Sequence, residues 1–263
     1  MILIRIFILK MYRKKNILVI SGHDPTGGAG IIADTETAIG KKIRVLSILS
    51  CITAQNSSKV ISVKSVPSGY ISKCYELIRS EFKIDGIKIG LLPSISISKE
   101  VQKILSKREN KNIPIIFDPI FNSGSNYKFL SRNTKKYIIE NILKKVDLIT
   151  PNREEFIEIK EQFNINKSSR LKHILVTNYD IQNKYIYLKL INTKNRLELI
   201  YKIKKSRKEF RGTGCTFSTK LTCELINTNN IETSIKRSLL YMSKLVKISD
   251  YKGDSQFYLD RNT

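Results

Sequence analysis

Asn16-Ile17-Leu18-Val19-Ile20-Ser21-Gly22-His23-Asp24-Pro25-Thr26-Gly27-Gly28-Ala29-Gly30, running on into Ala33-Asp34, is the stretch that decides the fold. Ile17 to Ile20 are four apolar residues in a row, the pattern of a short strand buried on both faces as in parallel sheets. A glycine loop follows at once, and Ala29 to Gly40 reads as a helix. Strand and helix signals alternate outward from it. Strands are expected at Val45 to Ile52, Ile84 to Gly90, Ile113 to Phe117, Asp147 to Thr150 and His173 to Thr177. Helices are expected at Tyr70 to Ser80, Ile97 to Lys107, Thr134 to Lys145 and Glu154 to Phe163. Strand-helix alternation implies right-handed crossovers, so the expected class is α/β, a mostly parallel central sheet with helices on both faces. Lys184 to Leu190 and Leu197 to Ile203 read as a hairpin added at an edge, and two helices close the chain before Asp250. There is no internal repeat and no Pro/Gly-rich boundary. Residues 16–263 are therefore expected to form a single domain, with 1–15 an N-terminal extension and Met11 an alternative start.

The composition bounds the function classes. Of 263 residues, 41% are hydrophobic and 27% charged, as in an ordinary globular chain, but the formal net charge is +24. Such a field draws anionic ligands, and it favours nucleic acid only where the basic residues cluster. They are spread along the chain, with short runs at Arg13 to Lys15 and Lys202 to Lys208, and no RNA-binding motif accompanies them. Cys51, Cys74, Cys215 and Cys223 fall at no metal-ligand spacing, and the two histidines, His23 and His173, argue against a zinc site. A reducing, cytoplasmic compartment is expected. The apolar run Ile2 to Leu9 is broken by Arg5 and is too short to span a bilayer, so no membrane role is expected.

In open α/β sheets ligands bind beyond the carboxyl ends of the strands, and the informative residues fall there. Gly27, Gly28 and Gly30 allow close backbone approach at a helix start, in neither the dinucleotide nor the P-loop spacing. Taken alone, the loop is equally a tight turn. Thr53-Ala54-Gln55-Asn56 leaves a strand with Gln55, whose amide could read the edge of a heterocycle. Asp118-Pro119 follows the strand at Ile113. Asn152 and Glu155 stand three residues apart at a helix start, where they could hold Mg²⁺ through water or form an N-terminal cap. In Arg211-Gly212-Thr213-Gly214-Cys215-Thr216-Phe217-Ser218, small residues run into a helix marked by Phe217, Leu221 and Leu225. Its N–H groups can converge on an anion at the positive end of the dipole. Cys215 sits in that cradle, where the helix terminus is expected to lower its pKa below about 8.5.

Gly22-His23-Asp24-Pro25-Thr26-Gly27-Gly28-Ala29-Gly30, Thr53-Ala54-Gln55-Asn56, Lys88-Ile89-Gly90, Asp118-Pro119, Thr150-Pro151-Asn152 and Gly212-Thr213-Gly214-Cys215-Thr216, in this order, resemble the hydroxymethylpyrimidine/phosphomethylpyrimidine kinases of thiamine biosynthesis, within the ribokinase-like superfamily. The resemblance covers nearly the whole chain from Asn16 and implies a ribokinase-like three-layer sandwich. It implies ATP-dependent phosphorylation of 4-amino-5-hydroxymethyl-2-methylpyrimidine, then of its monophosphate, with Mg²⁺. Cys215 would be the base for the alcohol, and Gly212, Thr213 and Gly214 the cradle for the transferring phosphoryl group. Gln55 would hold the pyrimidine edge, Gly22 would line its pocket and Asp34 would close it near the acceptor. Asn152 and Glu155 match the superfamily element that organises Mg²⁺ and phosphates, and a homodimer is implied. The chain departs from the family in several places. Val176-Thr177-Asn178-Tyr179-Asp180 replaces a Lys-Gly-Gly-His-like turn whose lysine reaches the nucleotide phosphates. Asn122-Ser123-Gly124-Ser125-Asn126 replaces a Ser-Gly-Asp segment, Leu91 stands where Met is common, and His23 stands for Thr or Ser. Alternatives are a pyridoxal kinase, which shares the fold and takes a similar heterocyclic alcohol, and a non-catalytic ligand- or nucleic-acid-binding relative.

Overall fold

The computed structural model describes residues 14–39, 43–122, 127–163 and 169–261. The proposed N-terminal extension to residue 13 and the Ser123 to Asn126 departure lie outside the described residues. The chain runs β1 (Asn16–His23), α1 (Gly30–Ile39), β2 (Arg44–Gln55), β3 (Val60–Ser65), α2 (Tyr70–Glu81), β4 (Gly86–Ile89), α3 (Ile95–Leu105), β5 (Ile115–Phe117) and α4 (Arg132–Asn141). It continues with β6 (Leu148–Ile149), α5 (Arg153–Gln162), β7 (His173–Gln182), β8 (Tyr185–Asn192), β9 (Glu198–Lys204), β10 (Phe210–Arg211), α6 (Thr213–Thr228), α7 (Ile231–Ile248) and β11 (Phe257–Tyr258).

Among the described residues nine strands form one sheet in the order β3-β2-β1-β4-β5-β6-β7-β8-β9. From β2 to β7 every pairing is parallel, while β3 and the β8–β9 hairpin join antiparallel at the edges. The expected α/β class and the edge hairpin are both present. β3 was not anticipated: Val60–Ser65 is a partly exposed edge strand, so its apolar signal is diluted. β10 and β11 pair in a separate two-stranded sheet and bring the C-terminal segment back to the start of α6.

β1 shows why the sheet is covered twice. Leu18 and Ile20 pack in one apolar cluster with Ile71 and Tyr75 of α2, Val101 of α3 and Ile138 of α4. Ile17 and Val19 pack in another with Ile31 and Ala38 of α1 and Cys223 of α6. Successive strand residues point to opposite faces, so an unbroken apolar run requires helices on both sides. β5 to β8 repeat the pattern, with Ile116, Leu148, Leu175 and Leu188 against Leu221 of α6 and Ile235 and Leu245 of α7. These are the three layers that the resemblance implies. Among the described residues no helix is long and apolar enough to cross a membrane.

Candidate active site

A cavity of about 650 Å³ lies across the carboxyl ends of the strands, over the start of α6. It is lined at one end by Gly22 and Gln55 in the last residues of β1 and β2 and by Leu91 after β4, and centrally by Asp118, Asn152, Glu155 and Thr213 to Cys215. At the other end Ile186, Leu188 and Ile203 of the hairpin and Leu239, Met242 and Val246 of α7 form an apolar wall. The chain thus presents a polar, Gly-rich end, an ionisable middle and an apolar end in one slot.

Two glycines build the central cradle. Gly212, at φ +69°, caps α6; a Cβ there would stand 1.9 Å from the Gly28 carbonyl oxygen. Gly30, at φ +61°, would bring a Cβ to 2.3 Å from the Gly22 oxygen. A side chain at 212 would therefore force the two loops apart, and one at 30 would open the turn between β1 and α1. Asp24 fastens them, accepting from the backbone N–H and hydroxyl of Thr26 through Oδ1 and from Arg211 Nε through Oδ2 at 2.9 Å. Arg261, 2% exposed, donates to the Gly28 oxygen at 2.7 Å and to Thr216 Oγ1 at 2.8 Å. Four other helix starts are satisfied by protein groups: Ser94, Ser131 and Asn230 cap α3, α4 and α7, and the Glu100 carboxylate accepts from Gly69 and Ser72 at the start of α2. α6 has no side-chain cap. Its first N–H groups face the cavity at the positive end of the helix dipole, where an anion is favoured.

Beneath the cradle lies a buried charged cluster. Lys88 of β4, fully buried, donates to both oxygens of Asp34 at 2.9 and 3.0 Å, and Asp34 also accepts from Thr219 Oγ1 at 2.6 Å. The expectation that Asp34 closes the substrate pocket is corrected here: its side chain is fully buried against Lys88 and Thr219 and does not line the cavity. Asp118 accepts from Thr150 Oγ1 and Ser218 Oγ, and burial pushes its carboxyl up despite Lys88.

Cys215 does line the cavity, but its expected low pKa is also corrected. Burial dominates and pushes the thiol up to about 11; Lys88 and a hydrogen bond from the Gly30 backbone oppose this, and the Asp34 and Asp118 charges reinforce it. Asn152 and Glu155 form a full capping box at the start of α5, as one of the two sequence readings had it. The cap does not exhaust Glu155. Its Oε1 accepts from the Phe121 backbone, and it lines the cavity with its pKa raised to about 8, burial again being the main cause. The Val176 to Asp180 departure lies within β7, which runs on past the expected end at Thr177; Thr177 and Asn178 line the cavity, Asn178 at φ 49° within an irregularity of the β7–β8 register. Lys205 and Lys208, from one of the two basic runs in the sequence, line the cavity as well.

The pattern of the phosphomethylpyrimidine kinases matches residues 24–258. The chain belongs to this family. A hydroxymethylpyrimidine/phosphomethylpyrimidine kinase of Aquifex aeolicus is 28% identical over 255 residues, covering 92% of this chain and 98% of the relative. The crystal structure of a phosphomethylpyrimidine kinase from Clostridium difficile superposes with a TM-score of 0.74 at 26% identity, over 88% of this kinase and 99% of that chain. A Bacillus subtilis pyridoxal kinase in complex with ADP superposes with a TM-score of 0.81 at 19% identity, over 95% and 98%, and shares the fold. The kinase thus has the ribokinase-like fold that its motifs resemble.

Several residues that hold the site together are given no role by the sequence reading. Lys88 could have been found: a lone lysine in an apolar strand must be buried with a carboxylate partner. Arg211, Asp24 and Arg261 carry no such signal, because their contacts join residues 187 and 233 positions apart.

Proposed function

We propose that the protein transfers the γ-phosphoryl group of ATP to the hydroxymethyl group of 4-amino-5-hydroxymethyl-2-methylpyrimidine, and then to the resulting monophosphate, in thiamine biosynthesis. One observation carries the reading: the uncapped start of α6 opens, with Cys215 in its first turn, into the cavity lined by Gly22 and Gln55. The Gln55 amide pairs with the amino and ring-nitrogen edge of the pyrimidine. Cys215 accepts the proton of the alcohol, and the Gly212 to Cys215 amides bear the charge that develops on the transferring phosphoryl group. The second acceptor is already a phosphate oxygen, so it depends on the cradle more than on the thiol. The apolar wall of Ile186, Leu188, Ile203 and Met242 takes the adenine, and Lys205 and Lys208 face the nucleotide phosphates in place of the family's lysine.

Asp118 and Glu155 fit a hard cation. Both line the cavity, burial raises both, and the Asp118 charge adds to the rise at Glu155, so a cation would relieve an existing repulsion. With Asn152 they would hold Mg²⁺ through water, and the ion would supply charge neutralisation at the phosphate oxygens. A homodimer is part of the reading, supported by exposed Ile52 and Ile61 on β2 and β3; sedimentation velocity tests it.

The second reading, pyridoxal kinase, is favoured by the TM-scores of 0.80 and 0.81 to enzymes of that name. Comparing kcat/KM for the hydroxymethylpyrimidine and pyridoxal separates the two. A higher value for pyridoxal would replace the first reading with the second.

A further inference from the structure

Ser21 stands at the end of the buried run of β1, just before the register irregularity at Gly22. The residue is 1% exposed and lines the cavity, and among the described residues its Oγ has no hydrogen-bond partner. Leaving a buried hydroxyl unpaired works against folding. Gly90, whose amide donates to the Ile20 oxygen at 2.8 Å, lies against this hydroxyl and puts no side chain on it. A Cβ on Gly90 would stand 2.6 Å from Ser21 Oγ and 3.2 Å from Lys88 Nζ. The hydrogen bonds of that ammonium both run to Asp34, so it lies behind the niche without satisfying the hydroxyl. Gly22, next along the chain, Leu91 and the more central Cys215 line the same cavity.

We propose that Ser21 is a substrate-binding residue whose hydroxyl donates to the hydroxymethyl oxygen of the pyrimidine at the floor of this end. The assignment rests on the kinase reading above and deepens it. The ligand completes a hydrogen bond that the free protein lacks, so the site selects ligands with an acceptor atom on that carbon. An alcohol and its phosphate ester both qualify, which suits a pocket that must hold the acceptor through two successive steps. A methyl group in the same place leaves the hydroxyl unpaired and is disfavoured.

Ser21→Ala removes one atom and adds none, which keeps folding out of question. Calorimetric titration with the hydroxymethylpyrimidine and with its 5-methyl analogue, on wild type and variant, reads the contact directly. The variant should lose about 5- to 10-fold in affinity for the alcohol, the worth of one hydrogen bond, and little for the methyl analogue. The ligand-free variant should melt at or above the wild-type temperature, because an unsatisfied group has been removed. Equal losses for both ligands, no loss for the alcohol, or a ligand-free variant melting several degrees lower would each overturn the assignment. Wild-type protein that binds neither pyrimidine would overturn the kinase reading and Ser21 with it, whereas wild-type binding left unchanged in Ser21→Ala would overturn Ser21 alone.

Discussion

Lys88→Met is the perturbation that most directly tests the buried cluster under the cradle. Lys88 and Asp34 are each fully buried and joined by two hydrogen bonds, and apart from Lys88 the Asp34 carboxylate accepts from Thr219. Removing one partner of such a pair leaves an uncompensated charge and costs about 3–5 kcal/mol. Thr219 keeps one hydrogen bond on Asp34, which places the expectation near the lower figure. Against a total stability of about 5–15 kcal/mol this is a large fraction. For a chain of this length it corresponds to a fall in Tm of roughly 6–20 °C. Urea and thermal unfolding followed by circular dichroism measure it, with Asp34→Asn/Lys88→Met as the control. Because the double variant carries neither charge, it should recover most of the loss. A single variant as stable as wild type, or a double variant as unstable as the single, would refute the argument that the pair is held by mutual compensation.

Three further outcomes follow from the geometry. For the unliganded enzyme, a Cys215 thiol near pKa 11 is ionised to about one part in 10⁴ at pH 7, so kcat/KM for the alcohol should rise about tenfold per pH unit between pH 7 and 9. Cys215→Ala should flatten that rise and slow the first step more than the second; equal losses in both would remove Cys215 as the base. Glu155 holds its proton to about pH 8 in the folded protein and to about 4.3 when unfolded. The folded state therefore binds more protons between these values, and stability should fall as pH rises from about 5 to 8. Glu155→Gln should remove that slope and cost about 1–3 kcal/mol, since an amide group cannot accept from both the Asn152 and Phe121 backbones; an unchanged slope in urea titrations counts against it. Gly212→Ala should abolish both transfer steps while far-UV circular dichroism stays near wild type, because its Cβ would displace Gly28 from the cradle; an active variant would show that the two loops need not meet.

Much of this was legible in the sequence, and what was not has physical reasons. The Ile17 to Ile20 run required helices on both faces, and the glycines at 212 and 214 placed a helix start where an anion can be held. Burial depth was not legible. The helix terminus argued for an acidic Cys215 thiol, but desolvation by the packed layers outweighs it. Asp34, read as a pocket residue, turned inward because Lys88, 54 positions away, demands a counter-charge. β10 and β11 were invisible since two-residue strands carry no period, and their pairing with each other is set by the chain's return to α6. The Asn152-Glu155 pair left a cap and a cation site both open. The structure contains the cap and also turns Glu155 into the cavity, so the two readings do not compete.

The central claim is two successive phosphoryl transfers to one pyrimidine in one cavity. Phosphorus NMR of a single sample holding the protein, Mg·ATP and 4-amino-5-hydroxymethyl-2-methylpyrimidine tests it most directly. The account predicts a monoester signal that rises first and then gives way to a diphosphate pair as ADP accumulates. ATP left unchanged, or consumed with only inorganic phosphate appearing, would contradict it.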